Sequence, residues 1–233
     1  MNKIFDTNEL INASALLSNF ETWKIFTHKK ADGDAVGSST ALYMLGKNLG
    51  KNVTWINPDE KLPETYKFLP GYEAHEFFEN FYFENLEDVL YIFADCSNEN
   101  RGTLGFETDK NINSLNIDHH EDNNLFAQVN CVDGRASSTC EMLYRLLKIG
   151  KFRITPEIAT CLYTGIWTDT GGFSFSNTSP LTHEIAANLM EIGVESDKIS
   201  DLINQNKSRQ DFLLWSRAMS RVKIFGAENA PNI

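Results

Sequence analysis

Short apolar runs alternate along the chain with stretches of helical periodicity. Residues 23–27 (WKIFT), 52–57, 89–94 (VLYIFA), 114–117 and 127–132 read as strands, and VLYIFA is apolar on both faces. Residues 1–20 read as an amphipathic helix with Leu10, Ile11, Ser14 and Leu17 on one side. A second helix is predicted over 38–49, with Ser38 or Ser39 as cap and Ala41, Leu42, Leu45 and Leu49 along one face. Pro58, Pro63 and the pair Pro70-Gly71 mark a loop after the second strand. The second half is mostly helical. Residues 138–148 carry Leu143, Leu146 and Leu147, and 156–167 opens on Thr155 as cap with Pro156 at the first helical position. Residues 182–190, 196–204 and 209–222 follow as further helices. Strands alternating with helices, some apolar on both sides, predict an α/β fold: a mostly parallel sheet with helices on both faces.

Composition narrows this picture. Hydrophobic residues make up 42% of the 233 and aromatics 12%, enough to build a core and to set global disorder aside. The formal net charge of −11 argues against binding long duplex DNA, which needs a basic footprint. A short oligonucleotide or free nucleotide, held by a few cations and metal ions, stays open. Cys96, Cys131, Cys140 and Cys161 form no CxxC pair and read as reduced, buried residues of a cytoplasmic protein. Residues 1–20 lack the pattern of a signal peptide, and no apolar run is long enough to span a membrane.

Four places break the rules for a core. His28, Asp32 and Asp34 follow the first strand, Asp95 follows VLYIFA, Asp118-His119-His120 follow SLNI, and Asp169 follows the helix expected to end at Trp167. In open α/β sheets ligands bind beyond the carboxyl ends of strands, so these clusters can converge. Convergence would bring Asp32, Asp34, Asp95 and Asp169 together. Two like charges about 4 Å apart cost about 4 kcal/mol at an effective dielectric near 20. Several such pairs rival a whole folding stability of about 5–15 kcal/mol. Two divalent cations would neutralise the set; protonation is the other route. Carboxylates mixed with imidazole favour Mn²⁺ over an all-oxygen Ca²⁺ or a thiolate-rich Zn²⁺ site. Bound in pairs, such ions activate a water for in-line attack on phosphorus. Arg135, ahead of a helix capped by Ser137 or Ser138, is a candidate phosphate site, since a helix N-terminus attracts anions.

Four stretches carry a resemblance: THKKADGDAVGSSTALYMLGKNLGK (27–51), FADCSNENR (93–101), NIDHHEDN (116–123) and YTGIWTDTGGFSFSNTSPLTHEIAANLMEIG (163–193). In this order they resemble the DHH phosphoesterase family, and within it bacterial oligoribonuclease/3′-phosphoadenosine-5′-phosphate phosphatases. Ala31 stands where that family usually has proline. The resemblance implies one Mn²⁺ on His28, Asp32 and Asp95, and another on Asp34, Asp95, His119 and Asp169, with Mg²⁺ as the other candidate ion. It implies a supporting role for Asp118 and a place near the scissile phosphate for His120, so the expected catalytic residues are Asp95, Asp118 and His120. It further implies a DHH catalytic domain over 1–206. Residues 207–233 are then expected to be a linker helix and the start of a missing C-terminal substrate-binding domain. The expected substrates are short oligoribonucleotides or 3′,5′-bisphosphate nucleotides. A homodimer is a family-level expectation. The runner-up activities are a family II inorganic pyrophosphatase and a linear or cyclic dinucleotide phosphodiesterase. A non-enzymatic nucleotide sensor is the alternative of another class.

Overall fold

The computed structural model describes residues 7–78, 87–98, 101, 112–205 and 209–222. Its centre is a six-stranded sheet of order β3-β2-β1-β4-β5-β6, parallel throughout. In chain order the elements are α1 (Thr7–Asn19), β1 (Thr22–Phe26), α2 (Gly33–Asn48), β2 (Asn52–Asn57), β3 (His75–Phe77), β4 (Val89–Ala94), β5 (Ser114–Asp118) and β6 (Val129–Val132). Then come α3 (Thr139–Ile149), α4 (Pro156–Asp169), α5 (Pro180–Ile192), α6 (Ser196–Gln205) and α7 (Arg209–Met219). The chain runs outward from β1 through β2 to β3, then returns to lay β4 on the other side of β1. That reversal opens a crevice at the carboxyl ends of β1 and β4.

Both sheet faces are buried, as β4 and β5 show by being buried at every position. Trp23, Ile25, Trp55, Leu90, Ile92, Leu115 and Ile117 face the larger core, shared with Leu10, Leu17, Leu42, Leu45, Leu143 and Leu162 of the helices. Phe26, Ile56, Tyr91 and Phe93 face the other way and pack with Ile112 and Phe126. The expected α/β class holds. All four cysteines are free and buried. No helix among the described residues is long and apolar enough to cross a membrane.

Several boundaries differ from the sequence reading, each for a physical reason. α2 begins at Gly33, not Ser38, because Asp32 is the cap: its carboxylate accepts from the backbone N–H of Asp34 and Ala35. Ser38 and Thr40 lie inside the helix and return their hydroxyls to the carbonyls of Ala35 and Val36. α4 runs on through Asp169, which is its last residue and not a loop residue. In α1 the buried stripe is Leu10, Ala13 and Leu17, while Ile11 is exposed. β3 falls where only a loop was expected; three residues long and on the sheet edge, it leaves no alternation to detect. The last strand starts at Val129, two residues later than expected. The segments 1–6, 206–208 and 223–233 lie outside the described residues, and with them parts of the expected first helix and of the 207–233 segment. Within the latter, α7 exposes Phe212, Leu214 and Trp215.

Candidate metal centre

Register brings the sequence clusters together. Phe26 pairs with Phe93, and Ala94 with Ile117, so His28, Asp95 and Asp118-His119-His120 leave adjacent strands at the same edge. Asp32 and Asp34 enter from the first turn of α2, and Asp169 from the last residue of α4. α2 and α4 lie close enough to do this because glycines line their contact. A Cβ on Gly37 would come within 2.7 Å of the Cys161 carbonyl, and one on Gly165 within 2.7 Å of Asp34 Oδ1.

Asp95 is the centre of the cluster. Its φ of +60° turns the chain sharply off β4, a left-handed conformation that aspartate tolerates better than most residues. Its two oxygens face different ways. Oδ2 is 3.3 Å from His28 Nε2, while Oδ1 is 3.7 Å from His119 Nε2 and accepts from the Thr139 hydroxyl at 2.9 Å. His28 Nδ1 donates to the Lys29 carbonyl at 2.9 Å, which leaves Nε2 turned inward. His119 Nε2 also lies 3.4 Å from Asp169 Oδ2 and 3.9 Å from Asp34 Oδ2. Three groups of ligand atoms result, each within 4.8 Å: His28–Asp32–Asp95, Asp34–His119–Asp169 and Asp95–His119–His120.

The electrostatics of this crowding are visible in the proton affinities. Burial, then the charges of Asp95, Asp169 and Asp32, push the Asp34 carboxyl well above the usual carboxylate range. Burial pushes Asp169 up to about 6, with His119 opposing and Asp95 adding to the effect. Asp95 is the exception: burial raises it, but the hydrogen bond from His28 and the charges of His119, His28 and His120 leave it below its ordinary value. Burial lowers His28, but the bond and charge of Asp95 outweigh it and raise the imidazole overall. His120 is raised chiefly by its hydrogen bond to Asp118. Asp34, only 1% exposed, receives the backbone N–H of Thr139 at 2.6 Å and of Cys140 at 3.0 Å.

That last contact lies at the expected phosphate site. The N-terminus of α3 is taken by the protein's own Asp34 carboxyl. Ser137 and Ser138 are fully buried. Ser137 donates to Glu141 at 2.7 Å, and Ser138 caps α3 by accepting from Glu141 N–H. Arg135 is forked onto Asp133, with Nε 2.9 Å from Oδ1 and Nη2 3.3 Å from Oδ2. Arg135 thus turns its Nε and Nη2 to Asp133, and Ser137 turns its hydroxyl to Glu141. Asp118, 0% exposed, stands behind the cluster: it accepts from His120 Nδ1 at 2.7 Å and from Asn123 at 2.6 Å.

Four neighbours were not singled out in the sequence, although Arg101, Asn123 and Asn177 lie in the stretches that carry the resemblance. Thr139 holds Asp95. Asn123 holds Asp118. Asn177 donates to the carbonyls of Asp169 (3.2 Å) and Ser137 (2.9 Å), tying α4 to the entry of α3. Arg101 places Nη1 3.5 Å from His120 Nε2.

Residues 23–166 match the DHH family, N-terminal domain. The chain is 34% identical over 198 residues to the bifunctional oligoribonuclease and PAP phosphatase NrnA of Thermus thermophilus, covering 85% of this chain and 58% of that one. It is 32% identical to the Mycoplasma genitalium protein of the same name, covering 84% of this chain and 60% of that protein. The chain thus spans about 60% of the length of these curated relatives. A solved structure of an exopolyphosphatase-related protein from Bacteroides fragilis superposes with a TM-score of 0.86 at 25% identity, over 97% of this chain and 68% of that one.

Proposed function

The chain belongs to the DHH family, and from that membership together with the cluster geometry we propose that it is a metal-dependent phosphoesterase working with two divalent cations. The observation that carries this reading is the split of Asp95, one oxygen toward His28 and the other toward His119, which would let one carboxylate serve both cations. His28, Asp32 and Asp95 would hold one ion; Asp34, Asp95, His119 and Asp169 the other. The donor set suits them. Buried carboxylates whose charges destabilise one another gain most from a cation, and imidazole mixed with carboxylate favours Mn²⁺, with Mg²⁺ as the other candidate. When bound, the cations supply Lewis acidity, lowering the pKa of water and offsetting charge on phosphoryl oxygens.

The chain's own groups do the rest. Thr139 and the α3 backbone fix the Asp95 and Asp34 oxygens, so these two carboxylates are already oriented. Asp118 holds His120 with Nδ1 as a donor, leaving Nε2 turned outward to give a proton to the departing oxygen. The names of the curated relatives support short oligoribonucleotides and 3′,5′-bisphosphate nucleotides as substrates.

A hydrolysis panel with added Mn²⁺ tests the proposal: a short labelled RNA, 3′-phosphoadenosine 5′-phosphate and pyrophosphate, with Asp95→Ala as control. Turnover of RNA or the bisphosphate, lost in Asp95→Ala, is expected. Turnover of pyrophosphate alone would reassign the substrate. No turnover of any of the three, with cations bound, would sink the proposal for this chain.

A further inference from the structure

Arg101 is an exposed arginine at the mouth of an acidic cluster, yet among the described residues no carboxylate pairs with it. The contrast with its peers is sharp: Arg135 and Arg145 both meet Asp133. The Arg101 guanidinium touches two side chains instead, Ser97 Oγ at 3.3 Å and His120 Nε2 at 3.5 Å. Its backbone is fixed on both sides. Arg101 N–H donates to Asn98 O at 3.2 Å, and the Arg101 carbonyl accepts from Lys29 N–H at 3.1 Å, next to His28. Ser97 is 1% exposed and so a firm support.

The contact with His120 is informative. His120 spends Nδ1 on Asp118, so Nε2 alone faces Arg101. The guanidinium and the imidazole Nε2 meet at one place, where an acceptor oxygen would lie within reach of the guanidinium. A planar guanidinium fork fits phosphate oxygens in particular. Resting on the phosphoesterase reading, we infer that Arg101 is a substrate-binding residue. Its guanidinium grips a non-bridging oxygen of the phosphate under attack, the role expected above of Arg135, beside the His120 that faces the departing oxygen. Arg101 touches none of the proposed ligands except through this neighbour, so it contributes to anion binding and not to holding cations.

The test is calorimetric titration of inorganic phosphate into the Mn²⁺-loaded chain, for the wild type, Arg101→Ala and Arg101→Lys, with Mn²⁺ affinity measured in parallel. Loss of a hydrogen bond to a charged group predicts phosphate binding weaker by roughly ten- to a hundredfold in Arg101→Ala. Arg101→Lys, which keeps the charge but not the fork, should fall between, and Mn²⁺ affinity should be unchanged or slightly higher in both. Equal phosphate affinity in wild type and Arg101→Ala overturns the inference, as does weakening that merely follows lost Mn²⁺ or a wild type that binds no phosphate. Arg101-dependent phosphate binding without turnover of any ester would retire the phosphoesterase reading and leave the anion site standing. Normal turnover with an indifferent Arg101→Ala would do the reverse.

Discussion

At the scale of single residues, the cluster depends on contacts that hold charge in place. The Thr139 hydroxyl donates to Asp95 across 44 positions of sequence. Thr139→Val keeps the shape of the side chain and removes that donor. Supporting hydrogen bonds of this kind are worth roughly ten- to a hundredfold in metal affinity, and a Mn²⁺ titration of the variant should show a loss of that order. Asp169 supports a second prediction. In the metal-free folded chain it keeps its proton up to about 6, and Asp34 is held up in the same direction. The unfolded chain releases both near pH 4, at the ordinary value of about 3.9. Between about pH 4 and pH 6 the folded state binds more protons, so the stability of the metal-free protein falls as pH rises through that window. Asp95 and Asp133, held below their ordinary values, act at lower pH and with the opposite sign. Asp169→Asn should flatten the slope seen by thermal unfolding in chelator. A slope unchanged by Asp169→Asn would remove Asp169 as its source. The six proposed ligands were legible in sequence because each is a charged or ligating residue at the end of an apolar run. Thr139 was not, because a lone threonine in a helix start has no spacing to betray it, and Arg101 was passed over at the end of the 93–101 stretch because nothing in it marks which partner the guanidinium meets.

Elements set how closely those residues approach. α2 lies against α4 through Gly37 and Gly165, and α3 points its N-terminus at Asp34. In Gly165→Ala the added methyl would sit 2.2 Å from Cys140 Sγ and 2.7 Å from Asp34 Oδ1. Overpacking of this sort costs about 1–3 kcal/mol. For a domain of this size that lowers the thermal midpoint by about 2–4 °C per kcal/mol, and Mn²⁺ affinity should fall with it as Asp34 shifts. Ser138→Ala removes the α3 cap, at about 0.5–2 kcal/mol. Denaturant unfolding should show that loss, whereas an exposed substitution such as Ser174→Ala should show none. The same packing explains which helix ends were readable. Pro156 announces α4 chemically, whereas the helix expected from 182 starts at Pro180 behind its Ser179 cap. The start of α2 was misplaced because Asp32 serves both as cap and as a cluster residue, and the metal reading masked the capping one. Asp169 was placed beyond its helix for a related reason: Thr170-Gly171-Gly172 looks like a stop, yet the helix continues to the residue before it.

Across the whole molecule, the strand order places the site. β1 and β4 are neighbours whose following segments diverge, and the crevice between them receives carboxylates from α2 and α4 and imidazoles from the segment after β5. Alternation of strands and helices was enough to predict the parallel sheet, and strand-end position was enough to predict convergence. Sheet order was not legible, because no local pattern says that the chain returns past β1 before forming β4. With a net charge of −11, the chain concentrates carboxylates that repel one another until a cation arrives. Metal binding is therefore the account's most exposed claim. The direct measurement is a calorimetric Mn²⁺ titration of the metal-stripped chain near pH 7.5, beside Asp95→Ala. Two ions per chain are predicted, with both sites weakened together in Asp95→Ala because one carboxylate serves both. No binding, or an Asp95→Ala that still takes up two ions with wild-type affinity, would contradict the shared-carboxylate centre.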